Sequence, residues 1–157
     1  MGRVIFQKTW MTISTGASHS MINKIFLDTA FAVALITPKD IFYEKAHDLS
    51  KQLRASETPL ITTRAVLLEI GNSLAKENTR KAAIEMLESI EADETITTVA
   101  VTEELYEEAF KLFRSRMDKE WGLTDCISFI VMKKFGVTEA LTTDRHFEQA
   151  GFKPLMR

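Results

Sequence analysis

Short apolar runs alternate with segments of helical period along almost the whole chain after Met21, and this alternation limits the possible folds more than any other feature. Lys24–Leu27, Leu60–Thr62, Thr95–Val99 and Glu139–Leu141 are too short for helices and read as strands. Thr29–Ile36 reads as a helix stopped by Thr37-Pro38. Asp40–Ser56 is amphipathic, with Ile41, Ala46, Leu49 and Leu53 on one side, and Pro59 ends it. Arg64–Lys76 reads as a mostly buried helix. Thr79–Ile90 carries Ala83, Ile84, Leu87 and Ile90 at helical spacing. Thr102 is placed to cap a helix running to about Met117, with Glu103 and Glu104 suiting its positive end. Thr124 is placed to cap another over Asp125–Phe135, closed by Gly136. Arg145–Gln149 adds a helical turn before Gly151. Strands alternating with helices predict a three-layer α/β/α sandwich with a mostly parallel central sheet.

Four acidic residues sit at the edges of apolar runs, in the strings IFLDTAF, VLLEIGN, GLTDCIS and LTTDRHF. They are Asp28, Glu69, Asp125 and Asp144. Bringing a carboxylate toward a core is costly, so four such placements point to a shared site. Asp28 and Asp144 fall at or just past strand ends. In open α/β sheets that edge is where ligands bind, at a topological switch point. If the two strands are neighbours, the two carboxylates meet. Asp125 lies in the first turn of a helix, where the dipole favours negative charge. Glu69 lies inside a helix, and its own face carries Ala65, Asn72, Ser73 and Lys76, which leaves room for a ligand. Two carboxylates about 4 Å apart repel by roughly 4 kcal/mol at an effective dielectric near 20. Either protons are retained or a divalent cation is bound, and oxygen donors suit magnesium or manganese. Such a cation would activate water for phosphodiester cleavage.

The bulk numbers narrow the class. The chain has 157 residues, is 45% hydrophobic and carries a net charge of −2. This is enough for one domain with a sizeable core, and no global basic field draws in nucleic acid. Any such contact must come from local Lys/Arg clusters or a bound cation. The single cysteine, Cys126, excludes an internal disulfide framework, fits a reducing, cytoplasmic setting, and reads as a small core residue. No run approaches the roughly 20 apolar residues of a membrane span. Residues 1–20 lack both a sustained period and the apolar region of a signal peptide. They are expected to form a mobile extension preceding a domain over 21–157, with a short VIF strand pairing locally or across a dimer as the alternative.

The order FLDT, TTRAVLLEIGNSL, LTDCISFIVMKKFGV and ALTTDRHFEQAGF resembles the PIN-domain ribonucleases, and among them the small VapC-like toxins of prokaryotic toxin–antitoxin pairs. The resemblance covers about residues 22–156. It rests on the order, spacing and strand–helix context of motifs that are individually short. It places Asp28, Glu69, Asp125 and Asp144 on the family's acidic quartet and Thr143 on a small polar position that supports the site. It implies magnesium- or manganese-dependent endonucleolytic cleavage of single-stranded RNA, homodimers, and inhibition by a small cognate antitoxin. A PIN-type nuclease of RNA processing shares the same residues.

Other side chains have plainer expectations. Arg145 borders the last acid and suits either a substrate phosphate or a surface ion pair. His146 suits an exposed turn better than a contact with substrate or a proton in transfer, and His47 is expected to be solvated on its helix. Trp121 suits a plug at the core edge better than a base-stacking platform. Lys111, Arg114, Arg116 and Lys119 suit a helix C-terminus. An RNase H-like nuclease also uses several carboxylates, but there the strand holding the first acid continues into hairpins, whereas Asp28 is followed at once by a helical pattern. A response-regulator receiver would need paired acids at the first strand and a late lysine, which neither Asp28 nor Asp144 has beside it. A binding module whose acidic pocket grips a partner's arginine remains a distinct class.

Overall fold

The computed structural model describes residues 23–157, so the expectations for residues 1–20 lie outside the described residues. The strands are β1 (Ile25–Leu27), β2 (Leu60–Thr63), β3 (Ile96–Val99), β4 (Glu139–Leu141) and β5 (Lys153–Pro154). The helices are α1 (Thr29–Ile36), α2 (Tyr43–Ala55), α3 (Arg64–Ser73), α4 (Glu77–Ala92), α5 (Glu103–Ser115), α6 (Leu123–Lys134) and α7 (Arg145–Gln149). The sheet order is β3-β2-β1-β4-β5, and every pairing is parallel. The chain therefore builds outward from β1 through β2 to β3, then crosses back to lay β4 on the other side of β1. With right-handed crossovers, this reversal puts α1 to α4 on one face and α5 to α7 on the other. The helix contacts mostly follow suit: α1 packs on α2, α3 and α4, and α6 on α5 and α7, while α3 and α6 also touch and join the two sets. The expected three-layer α/β/α sandwich is the fold observed.

Burial explains the composition of each element. All four residues of β2 are buried, as in a strand covered on both faces. α6 buries Cys126, Ile127, Ser128, Phe129, Val131 and Met132, so it lies against the middle of the sheet. An aromatic chain ties the layers together. Phe147 packs edge-on to Phe129 at 5.1 Å and stands 6.0 Å from Phe26 of β1, while Trp121 meets Phe129 at 5.1 Å. Trp121 is buried and its Nε1 donates to Gln149 Oε1, so it plugs the core edge as expected.

Several boundaries differ from expectation for local reasons. α2 starts at Tyr43 because Asp40 closes a turn first: its Oδ1 accepts the Phe42 N–H at 2.8 Å. Ile41 falls in that turn and is 89% exposed rather than on the buried side. α3 stops at Ser73 and is buried on one face only, through Val66, Leu67 and Ile70. Ile84 is half-exposed on α4. α6 opens on Gly122, not Thr124, because the Asp125 carboxylate accepts the Gly122 N–H at 2.8 Å. Thr102 does cap α5, its hydroxyl accepting the Leu105 N–H at 3.1 Å, and Gly136 takes the left-handed conformation at φ +66°. β5 has only two residues, one of them proline, and no periodicity announces it.

Phe147 is fully buried where the aromatic chain meets β1. Phe147→Ala is expected to cost about 3–5 kcal/mol of stability, read from the urea midpoint at unchanged m-value.

Candidate active site at the carboxyl edge of the sheet

The pairing of β1 with β4 assembles the site. Leu27 stands opposite Leu141, so the residues that follow, Asp28 and Thr142, emerge side by side. The Thr142 hydroxyl donates to Asp28 Oδ2 at 2.7 Å and accepts the Asp144 N–H at 3.0 Å. One buried hydroxyl thus ties together the two acids that follow neighbouring strands. It lies where the chain reverses its direction across the sheet, at the switch point where α/β folds bind ligands. Asp144 is held further by the His146 N–H, which donates to its Oδ1 at 2.8 Å.

Helices bring the other two acids to the same place. Asp125 sits in the first turn of α6, half-buried, with its carboxylate on the Gly122 N–H. Glu69 stands on the open face of α3, between the exposed Leu68 and the buried Ile70. Asp28, Glu69, Asp125, Asp144 and Thr143 all line one cleft of about 350 Å³. A second cavity of about 320 Å³, walled by Phe31, Leu53 and Met86, lies away from these acids.

The electrostatics of the cleft favour protons or cations. Asp28 is only 8% exposed, and its carboxyl is raised to about 7. Burial is the main cause; the Thr142 hydroxyl and the Thr29 N–H oppose it, and the Asp125 and Glu69 charges add to it. Asp125 is raised by burial and by Asp144, against the Gly122 N–H and His146. Glu69 is raised by burial and by Asp125, with the Thr124 hydroxyl opposing.

Four residues in or beside this site had not been assigned to it. Thr142, rather than only its neighbour Thr143, makes the hydrogen bonds; seeing this needs the β1–β4 register. Asp40 lines the cleft from the turn before α2, and its one sequence signal is an Asp placed to close a turn after Pro38. Thr29 also lines the cleft, and its buried hydroxyl has no hydrogen-bond partner. His146 is mostly enclosed, its side chain 18% exposed, with Nδ1 at 3.2 Å from Asp125 Oδ2. The expectation of an exposed turn histidine is therefore corrected. His47 is likewise half-buried, its ring against Tyr43 at 4.4 Å and its Nε2 at 3.2 Å from the Leu35 carbonyl. Arg145 stands in an exposed ion pair with Glu120 at 3.5 Å. Arg116 pairs with Asp118 and covers the Trp121 ring, and Arg114 lies over Phe110. Cys126 is fully buried, its thiol pushed up to about 11 by burial, so it is a core residue and no nucleophile.

This donor set suits a hard divalent cation. Carboxylate oxygens predominate, the unpartnered Thr29 hydroxyl borders them, and ligand atoms of Asp125, Asp144 and His146 lie within 4.8 Å of one another. The model of the PIN domain matches residues 25–153. The chain belongs to the PIN-domain family. Relatives of this PIN domain include the 23S rRNA-specific endonuclease VapC20 in two strains of Mycobacterium tuberculosis, CDC 1551 and H37Rv. Each is 32% identical over 129 residues, spanning 82% of this chain and 95% of the relative. The crystal structure of M. tuberculosis VapC20, described as a sarcin–ricin loop cleaving toxin, superposes with a TM-score of 0.72 at 31% identity, over 82% of this chain and 96% of that one. Among the described residues of this PIN domain, no helix is long and apolar enough to cross a membrane.

The raised Asp28 carboxyl gives a pH signature. Below the ordinary value of 3.8 the group is protonated both folded and unfolded. Between there and about 7 the folded protein keeps a proton that the unfolded chain releases, so its contribution to stability is lost as pH rises through that window. The loss is at most roughly 4 kcal/mol. In chelator, the melting temperature of the wild type is expected to fall more steeply from pH 4 to 7 than that of Asp28→Asn. Parallel curves would remove Asp28 as the cause.

Proposed function

We propose that this chain is a metal-dependent endoribonuclease that acts as the toxin of a toxin–antitoxin pair. The observation that carries the reading is the meeting of Asp28, Glu69, Asp125 and Asp144 around one cleft at the β1–β4 switch point. A cleft with this much negative charge repels a polyanion such as RNA until a cation enters it. Asp28, Asp125 and Asp144 are the residues to hold magnesium or manganese, with Glu69 completing the site. When bound, such an ion neutralises these carboxylates, draws charge from the phosphate and lowers the pKa of the attacking water.

The chain's own groups then divide the work. Thr142 fixes Asp28, Gly122 fixes Asp125, and the His146 N–H fixes Asp144, so the holding carboxylates are positioned before substrate arrives. Glu69 is the most accessible of the four, and its raised pKa suits it to orient the attacking water and take its proton. The water oxygen bonds to phosphorus, the opposite ester bond breaks in line, and solvent protonates the leaving oxygen. Thr143 supports the cleft wall, and Arg145, if freed from Glu120, reaches a flanking phosphate. The sarcin–ricin loop named for VapC20 is the first RNA to assay.

A small antitoxin and a second copy of the chain are the proposed protein partners. The outer face of α5 supports a protein contact: Tyr106, Phe110 and Phe113 are 46%, 39% and 43% exposed, and their rings stack in succession. The competing reading is a binding module whose acidic cleft takes a partner's arginine. No change of melting temperature with millimolar manganese, together with no cleavage, would favour that module.

Asp28→Asn and Asp144→Asn are each expected to lower manganese-dependent RNA cleavage at least about a hundredfold. Thr142→Val should lose about tenfold and Thr143→Val much less, measured with purified protein and end-labelled RNA. Undiminished cleavage in either Asp variant sinks the assignment. Growth arrest on controlled expression, abolished by Asp28→Asn, separates a toxin from a processing nuclease. Phe110→Lys is expected to shift the sedimentation of a dimer toward monomer while leaving the melting temperature within a few degrees.

A further inference from the structure

Ionised carboxylates only accept hydrogen bonds, yet one stretch of the acidic cleft offers donors. Thr29, Ala30 and Val33, at the start of α1, line the cleft beside Asp28, Glu69, Asp125 and Asp144. The first N–H groups of a helix have no acceptor within it, and its amino end carries partial positive charge. The Phe31 N–H turns back to the Asp28 carbonyl at 3.2 Å, and the first turn holds no acidic residue and no side-chain cap. The Ala30 N–H has no intrahelical acceptor, and a methyl side chain leaves the backbone there open to approach.

A second and independent feature points to a ligand at the same place. Thr29 is 7% exposed, and its hydroxyl has no hydrogen-bond partner. The other buried hydroxyls among the described residues are all engaged: Thr62 with the Leu27 carbonyl, Thr63 with the Val66 N–H, Ser128 with the Thr124 carbonyl, and Thr142 with Asp28 and Asp144. An unpaired buried hydroxyl is costly and rare, so the exception on the cleft wall calls for a partner from outside the chain.

A phosphate diester fits these donors. It brings two charged non-bridging oxygens, and helix amino ends and hydroxyls both bind such oxygens. We propose that the Thr29 hydroxyl and the Ala30 N–H together hold a non-bridging oxygen of the scissile phosphate. This rests on the nuclease reading above and adds to it the protein's own seat for the phosphate, apart from any cation. The acids repel the phosphate until they are neutralised, and the first turn of α1 then fixes which way it faces. With the phosphate held at one oxygen, the line of attack through phosphorus is set before the water moves.

The test uses the full chain and an RNA that the wild type cleaves, with the cleavage site mapped from end-labelled fragments. Thr29→Val removes the hydroxyl and keeps the shape. It should slow cleavage by about tenfold or more, while the melting temperature in chelator stays level or rises, because nothing in the free protein bonds that hydroxyl. Thr29→Ser, which returns the hydroxyl, should recover most of the rate. The direct readout is RNA with sulfur in place of either non-bridging oxygen at the cleavage site. With the wild type, one of the two diastereomers should be cut about tenfold more slowly, equally in magnesium and in manganese chloride, and with Thr29→Val that sulfur penalty should nearly vanish. Should Thr29→Val fail to fold, the wild type must itself show a sulfur penalty that manganese does not relieve, and its absence overturns the proposal. A fall in melting temperature with a lost rate that Thr29→Ser does not restore assigns the hydroxyl to the fold and overturns it too. If the wild type cleaves RNA and Thr29→Val cleaves it equally well, or with the same sulfur penalties, only this inference falls. If the wild type neither binds nor cleaves RNA, the nuclease reading falls with it.

Discussion

The parallel contact between β1 and β4 is the constraint on which the site depends. It joins residues more than a hundred positions apart, and it ends in a single hydroxyl, that of Thr142, shared between Asp28 and the backbone of Asp144. A slip of one residue in that register would turn Thr142 to the other face of the sheet and leave Asp28 buried without its donor. The helices then only need to deliver one carboxylate each to an edge already defined. α6 does so through the same Asp125 that holds its own first turn, and α3 through the face it leaves open.

Much of this was legible in the chain. Short buried strands and helix-period segments stand out because both faces of the sheet are covered, and α1, β4 and α7 fall where the pattern puts them. The four acids were legible because carboxylates at the ends of apolar runs conflict with burial unless something is gained. What was not legible depends on distance across the fold. Thr142 and Thr143 look alike in sequence, and only the strand pairing says which one faces Asp28. His146 looks like a turn residue until Asp125 arrives beside it from α6. Thr124 looked like a cap because a threonine before a helical run usually is one, but an aspartate at the third position served the first turn better.

The site also illustrates why local stability and function share residues here. Asp125 satisfies a backbone N–H that would otherwise be free at the start of α6, and Asp144 does the same for α7. Substitution of either removes a helix start and a site carboxylate together. Asp28 differs, since its side chain does not cap the first turn of α1 as those two do, and its burial opposes its charge.

That last feature links the protein to its surroundings. A carboxyl raised to about 7 would have to give up its proton to serve the proposed cation. If the proposed divalent cation binds there, it would displace that proton and bring a further positive charge, and would bind more readily in alkaline than in acidic surroundings. A fall in acidity and a rise in ion supply would then act on the same buried oxygen atoms, and both would set the threshold for filling the cleft.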